Sequence, residues 1–170
     1  DCRRQRQMCI RDRLCIGDAV HQAIALCEGS GEHRFKLCLP ENLDPDTIHA
    51  LADRDRVVQC LVNLMENACK YSPPESPVEI GCRCQQSVVL LSVRDHGPGV
   101  PSDERDQVFE RFRRGRNKAD IPGTGIGLAV VKTLVEQMGG SVGVEDAEGG
   151  GAVFVIALKE CAAPAAAASP

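Results

Sequence analysis

The residues best suited to chemistry gather in one stretch, Gln59 to Tyr71, which reads Gln-Cys-Leu-Val-Asn-Leu-Met-Glu-Asn-Ala-Cys-Lys-Tyr. Wound as a helix at about 100° per residue with Asn63 at zero, it puts Asn67 near 40°, Lys70 near −20°, Gln59 near −40° and Tyr71 near 80°. Val57, Leu61, Leu64, Met65 and Ala68 fall between roughly 100° and 200°, a core-facing stripe. The opposite arc therefore carries two carboxamides, an ammonium and a phenol side by side. Asn is a poor helix former, and Lys or Glu would serve a merely solvated face better. A solvated polar face is still the plain alternative for this arc taken alone.

Two glycine motifs follow. Asp95-x-Gly97-x-Gly99 comes directly after a run rich in apolar residues, Ser87–Arg94. Glycines there permit tight backbone geometry and close approach to a ligand. A carboxylate at the end of that strand can accept a hydrogen bond from an exocyclic amine. Gly123-x-Gly125-x-Gly127 opens a helical segment, where free N–H groups and the helix dipole favour phosphate. Its spacing is not that of the G-x-G-x-x-G dinucleotide fingerprint, and the chain has no G-x-x-x-x-G-K-[ST] loop. Each motif alone has an ordinary explanation, a glycine turn for the first and a flexible hinge for the second.

The elements that must position these groups can be read in outline. Apolar spacing from Ile16 to Leu26 predicts a helix, ended by Gly29-Ser30-Gly31. His33–Leu39 alternates as a strand, and Thr47–Ala52 is a short strand before Asp53, a candidate cap for the central helix. Ser72-Pro73-Pro74 stops that helix. Strands are expected at 78–84 and 87–94 with a turn at Gln85-Gln86; the second strand, nearly continuous in apolar residues, belongs at the centre of a sheet. A short helix is expected at 102–109, then a polar loop at 113–122. A last helix runs to about Met138, followed by strands near 141–145 and 152–158 across a glycine-rich turn. The mixture predicts an α+β two-layer sandwich, with a mostly antiparallel sheet and helices on one face.

Composition narrows the function. The chain has 170 residues, 43% of them apolar, with no Trp, one Tyr and a net charge of −4. Aromatic poverty argues against base-stacking platforms, and the absence of a basic run in the body of the chain argues against a duplex footprint, so no nucleic-acid partner is expected. No apolar run approaches a membrane span, and a cytoplasmic location is expected. The ten cysteines form no C-x-x-C pair and read as small buried side chains in a reducing compartment rather than metal ligands. Residues 1–13 carry five Arg and two Asp without a clear period, and resemble translated sequencing-adapter DNA. Residues 1–15 are accordingly read as a non-native or remnant arm, 16–160 as the folded domain and 161–170 as a disordered tail.

Taken in order, the Asn63/Asn67/Lys70 helix, Asp95-x-Gly97-x-Gly99, Phe109-Glu110-Arg111-Phe112 and Gly123-x-Gly125-x-Gly127 resemble the four boxes of one family. This is the catalytic and ATP-binding domain of bacterial sensor histidine kinases, in the superfamily of DNA gyrase, the heat-shock chaperone and the mismatch-repair ATPases. The resemblance covers about residues 16–158. It implies the Bergerat fold, with about five strands and three main helices, and ATP and Mg2+ as ligands. It also implies roles at matching positions. Asn67 would be the magnesium ligand, supported by Asn63, and Lys70 the phosphate contact. Tyr71 would lie beside the adenine, and Asp95 would accept from its amino group, with Gly97 and Gly99 shaping that wall. Gly123, Thr124, Gly125, Gly127 and Leu128 would form the lid hinge and phosphate cradle. Phe109 and Phe112 would anchor the lid, and Arg111, Arg113 or Arg114 would reach the γ-phosphate.

Two departures stand out. His96 occupies a position where the family often has Asn. More consequentially, the family's phosphoacceptor His is followed by Asp or Glu, whereas His21, His33, His49 and His96 precede Gln, Arg, Ala and Gly. The implied partner is therefore a separate dimerisation and phosphoacceptor domain, with a response regulator downstream. The full-length protein is expected to be a homodimer that can be attached to the inner membrane. ATPases of the superfamily keep a Glu one turn before the magnesium Asn, where this chain has Asn63, a poor general base. Phosphoryl transfer to a protein histidine is thus favoured over hydrolysis. The alternative is a regulatory module that holds ATP without transferring its phosphate.

Overall fold

Asp53 starts the element that carries the polar arc. Its Oδ1 accepts the N–H of Arg56 at 3.1 Å, the expected N-cap bond. The structure, a computed structural model, describes residues 12–29, 35–111 and 125–162. Three helices are present among them: α1 (Ile16–Glu28), α2 (Arg54–Tyr71) and α3 (Gly127–Gln137). The strands are β1 (Asp12–Cys15), β2 (Phe35–Cys38), β3 (His49–Ala52), β4 (Val78–Gln85), β5 (Val88–Arg94), β6 (Ser141–Asp146) and β7 (Ala152–Lys159).

Five strands form one sheet in the order β2-β4-β5-β7-β6. Only β2–β4 is parallel; β4–β5, β5–β7 and β6–β7 are antiparallel. The apolar strand β5 is central, as its composition predicts. Side chains alternate across the sheet: Val89, Leu91 and Val93 of β5 are buried with Ala152, Phe154, Ile156 and Leu158 of β7. That face packs on the helices. The α2 stripe of Val57, Leu61, Leu64, Met65 and Ala68 is at most 1% exposed. Full burial of a Leu or Met side chain is worth about 1.5–3 kcal/mol, so this stripe alone pins the rotation of α2 and turns its polar arc away from the core. Cys60 closes the seam between α2 and α3, its Sγ 3.9 Å from the carbonyl of Val131.

Three expectations need correction. Residues 102–109 do not form an α-helix; turns lead to a single 3-10 turn at Gln107–Phe109 that buries only Val108 and Phe109. An apolar face of two residues does not sustain longer helix there. The β4–β5 turn sits one residue later than predicted, at Gln86 (φ 51°) and Ser87 (φ 63°). Two consecutive left-handed residues match the twist a two-residue hairpin needs. Finally, Asp12–Cys15 lies within the segment read as an arm, yet it pairs antiparallel with β3 in a second, two-stranded sheet and buries Leu14. Of the segment read as a tail, residues 163–170 lie outside the described residues, while the N–H of Cys161 bonds the carbonyl of His49 at 2.8 Å.

Candidate functional site

The site is assembled from the outer arc of α2, the loop after β5 and the start of α3. Ser72 caps the C-terminal end of α2, and its Oγ accepts the N–H of His96 at 2.9 Å. This clamps the Asp95 loop onto the helix end that carries Lys70 and Tyr71. The clamp requires glycine at 97, because a Cβ there would lie 2.5 Å from the carbonyl oxygen of Tyr71. Lys70 is exposed in the last turn of α2, and Tyr71 is half-buried beside the loop.

Asp95 is 3% exposed. Its Oδ1 accepts two backbone N–H groups, from Gly97 at 3.0 Å and from Ala152 at 3.1 Å. Its own N–H bonds the carbonyl of Ala152 at 2.9 Å. Oδ2 takes part in neither side-chain bond. A carboxylate with one oxygen held in this way keeps acceptor capacity on the other.

The residue that sequence reasoning missed here is Gly151. It has φ +91°, and a Cβ on it would collide with the carbonyl oxygen of Asp95. Gly99, with φ +78°, lies against Gly151 in turn. The signal was present as three consecutive glycines, 149–151, read only as a turn between strands. Its meaning comes from the β5–β7 pairing, which sets Ala152 opposite the Asp95 backbone.

Asn63 reaches α3: its Nδ2 lies 3.4 Å from the carbonyl of Gly127. The helix arc and the second glycine motif therefore meet. Gly125 adopts φ +69° just before α3, and Leu128 packs against the core. Gly123, Thr124, Phe112, Arg113 and Arg114 lie outside the described residues, while Arg111 is exposed. Phe109 is buried and meets Phe154 edge-on, ring centres 6.1 Å apart.

Asn67 carries the sharpest indication of a ligand. Its Nδ2 is buried without a hydrogen-bond partner. An orphaned buried donor of this kind costs about 1–3 kcal/mol unless something else satisfies it. A phosphate oxygen suits Nδ2, and the amide's Oδ1 is a neutral oxygen ligand of the kind a hard, hydrated cation accepts. The residues present thus fit a magnesium nucleotide.

The comparisons with known proteins identify the family. The family described as histidine kinase-, DNA gyrase B-, and HSP90-like ATPase matches residues 52–161. The sensor protein KdpD of Escherichia coli is 31% identical over 154 residues, covering 91% of this chain and 17% of that protein. The signal transduction histidine-protein kinase/phosphatase MprB of Mycolicibacterium paratuberculosis is 47% identical over 94 residues, 55% of this chain and 18% of that protein. The chain therefore spans less than a fifth of the length of these curated relatives. Among solved structures, the mycobacterial sensor histidine kinase MprB superposes with a TM-score of 0.73 at 26% identity, covering 89% of this chain and 98% of that one. Full-length ShkA in complex with AMPPNP gives a TM-score of 0.71 at 30% identity, covering 91% of this chain and 32% of that one. With the orphaned Asn67 amide, the doubly held Asp95 and this match over residues 52–161, the chain belongs to the histidine kinase-, DNA gyrase B- and HSP90-like ATPase family, as the ATP-binding domain of a sensor histidine kinase.

Proposed function

We propose that this domain binds Mg-ATP and donates the γ-phosphoryl group to a histidine of a separate dimerisation and phosphoacceptor domain, in two-component signalling. The observation that carries the transfer reading is Asn63. It occupies the helix position where a hydrolase would keep a carboxylate, and its amide nitrogen is turned to the Gly127 carbonyl. An amide so placed cannot take a proton from water, so the site lacks a base for hydrolysis at that point. Catalysis then rests on positioning and on neutralising phosphate charge.

Each residue has a part in that positioning. Asp95 Oδ2 accepts the adenine amine, and Tyr71 flanks the base. Asn67 offers Oδ1 to the metal and Nδ2 to a phosphate oxygen. Lys70 contacts phosphate from the last turn of α2, and Gly123, Thr124, Gly125, Gly127 and Leu128 form the hinge and cradle of a lid. Magnesium, when bound with the nucleotide, supplies further neutralisation of the phosphate charge. In the transfer the bond between the γ-phosphorus and the β–γ bridging oxygen breaks, a phosphorus–nitrogen bond forms to the acceptor imidazole, and ADP leaves. The acceptor histidine comes from outside the four in this chain, none of which precedes an acidic residue. The parent protein is read as a homodimer that passes the phosphoryl group on to a response regulator, with this domain on the cytoplasmic side and an attachment to the inner membrane. The sensor and signal-transduction kinase names of the relatives support the signalling part of this reading; among the described residues no helix is long and apolar enough to cross a membrane.

The test supplies the domain with ATP, magnesium and a dimerisation domain bearing an acceptor histidine. Acid-labile phosphohistidine is expected on the acceptor; its absence despite measured ATP binding would overturn the transfer reading. Asp95→Asn should keep the fold, because the amide oxygen can still take the Gly97 and Ala152 N–H groups, but present an NH2 to the adenine amine. Loss of fluorescent-ATP binding is expected, and unchanged affinity would overturn the site assignment.

A further inference from the structure

Asp95 continues the side-chain alternation of β5, so its two neighbours in sequence, Arg94 and His96, point to the sheet face opposite the helices. One carboxylate lies between them there. Glu79 Oε2 is 3.5 Å from Arg94 Nε and 3.3 Å from His96 Nε2. Its other oxygen, Oε1, is 3.7 Å from Cys38 Sγ on β2. Glu79 is also the β4 residue paired with Arg94 in the sheet.

Both contacts lead back to the site. Arg94 donates through Nη2 to the carbonyl of Glu148, in the turn whose Gly151 and Ala152 hold Asp95. His96 donates its backbone N–H to Ser72, the cap of α2. Arg94 Nε and His96 Nε2 are both buried and lack a properly aligned hydrogen bond, although both lie within ion-pairing distance of Glu79. The geometry favours reading these contacts as electrostatic, because both separations exceed the usual hydrogen-bond length.

We propose that Glu79 is a positioning residue for adenine recognition. By holding the residues on either side of Asp95 it sets the rotation of the strand end, and so the direction in which Asp95 Oδ2 faces. The proposal rests on the reading of Asp95 as acceptor of the adenine amine. Without the Glu79 charge, Arg94 and His96 lose the group that compensates their buried nitrogens and move toward water. The carboxylate between them in sequence then loses its fixed aim.

The experiment compares Glu79→Ala and the near-isosteric Glu79→Gln with the unaltered domain by calorimetric titration. The ligands are ATP and purine riboside triphosphate, which lacks the exocyclic amine. The unaltered domain should prefer ATP. Both variants should lose about five- to tenfold in ATP affinity, the scale of one misaligned hydrogen bond to a charged group, while affinity for the amine-free analogue changes less than twofold. If Glu79→Ala fails to fold, Glu79→Gln carries the test. An undiminished ATP preference in the variants, or equal losses for both nucleotides, would overturn the role of Glu79 while leaving the site reading intact. An unaltered domain without any ATP preference would overturn the site reading and the proposal together.

Discussion

Gly97 and Gly127 belong to the two glycine motifs of one site, yet the structure gives them opposite tolerance for a methyl group. A Cβ at position 97 would lie 2.5 Å from the carbonyl oxygen of Tyr71, 3.0 Å from its carbonyl carbon and 3.1 Å from its Cβ. The first two are backbone atoms of the last helical residue of α2, held by the Ser72 cap, and cannot swing aside. Overpacking of this kind costs about 1–3 kcal/mol. Relief requires the loop to move, which loosens the bond from Gly97 N–H to Asp95 Oδ1, and a hydrogen bond to a charged group is worth about 1.5–3 kcal/mol. Lost from nucleotide binding, that is about a ten- to hundredfold fall in affinity. At Gly127, the first residue of α3, a Cβ meets nothing within 4 Å. Alanine there should stabilise the domain by about 0.5–1 kcal/mol, because glycine loses more backbone freedom on folding. Thermal unfolding and titration with a fluorescent ATP analogue read both variants. At about 2–4 °C per kcal/mol for a domain of this size, Gly97→Ala should lower Tm by about 2–12 °C and Gly127→Ala should raise it by about 1–4 °C. A Gly97→Ala variant with unaltered Tm and unaltered affinity would refute the close seating of the Asp95 loop on the end of α2.

Two further outcomes follow from the same structure. Asp53→Ala removes the acceptor for the Arg56 N–H and should cost about 0.5–2 kcal/mol in denaturant unfolding; an unchanged midpoint would mean the cap is dispensable. Burial pushes the Cys60 and Cys82 thiols up to about 12 and the Cys27 thiol up to about 11, from an ordinary 9.0. The folded state therefore keeps these protons where the unfolded chain releases them, so stability is full below about pH 9 and falls as pH rises through the interval to about 12. Chemical denaturation at pH 8 and pH 10 should show this decline, and a triple Cys→Ala variant should show less of it; an identical decline in that variant would assign it to other groups.

Much of the framework around the candidate site was legible because its signals are local. The helical period separated Asn63, Asn67 and Lys70 from Leu61, Leu64 and Met65, and the burial of the second set confirms that separation. Asp53 bounded the helix by capping and Ser72-Pro73-Pro74 by proline's missing N–H, signals that act over a few residues. The apolar run of β5 gave its central place, since only a strand flanked by two others needs so little polar surface. The short helix expected at 102–109 failed because its two buried apolar residues, Val108 and Phe109, satisfy a 3-10 turn equally well. β1 was missed because four residues with one buried side chain carry no period of their own; pairing with β3 makes them a strand.

By itself, the sequence determined which chemical groups the domain owns and which local elements present them: the carboxamide arc, the Asp95 carboxylate and the glycines. Tertiary structure alone decided how that carboxylate is aimed. Gly151 and Ala152 hold Asp95 from 56 and 57 residues away, and Glu79 faces its neighbours from the next strand. These partners meet through the pairing of β5 with β7 and β4, and side chains brought together across a sheet leave no periodic trace along the chain.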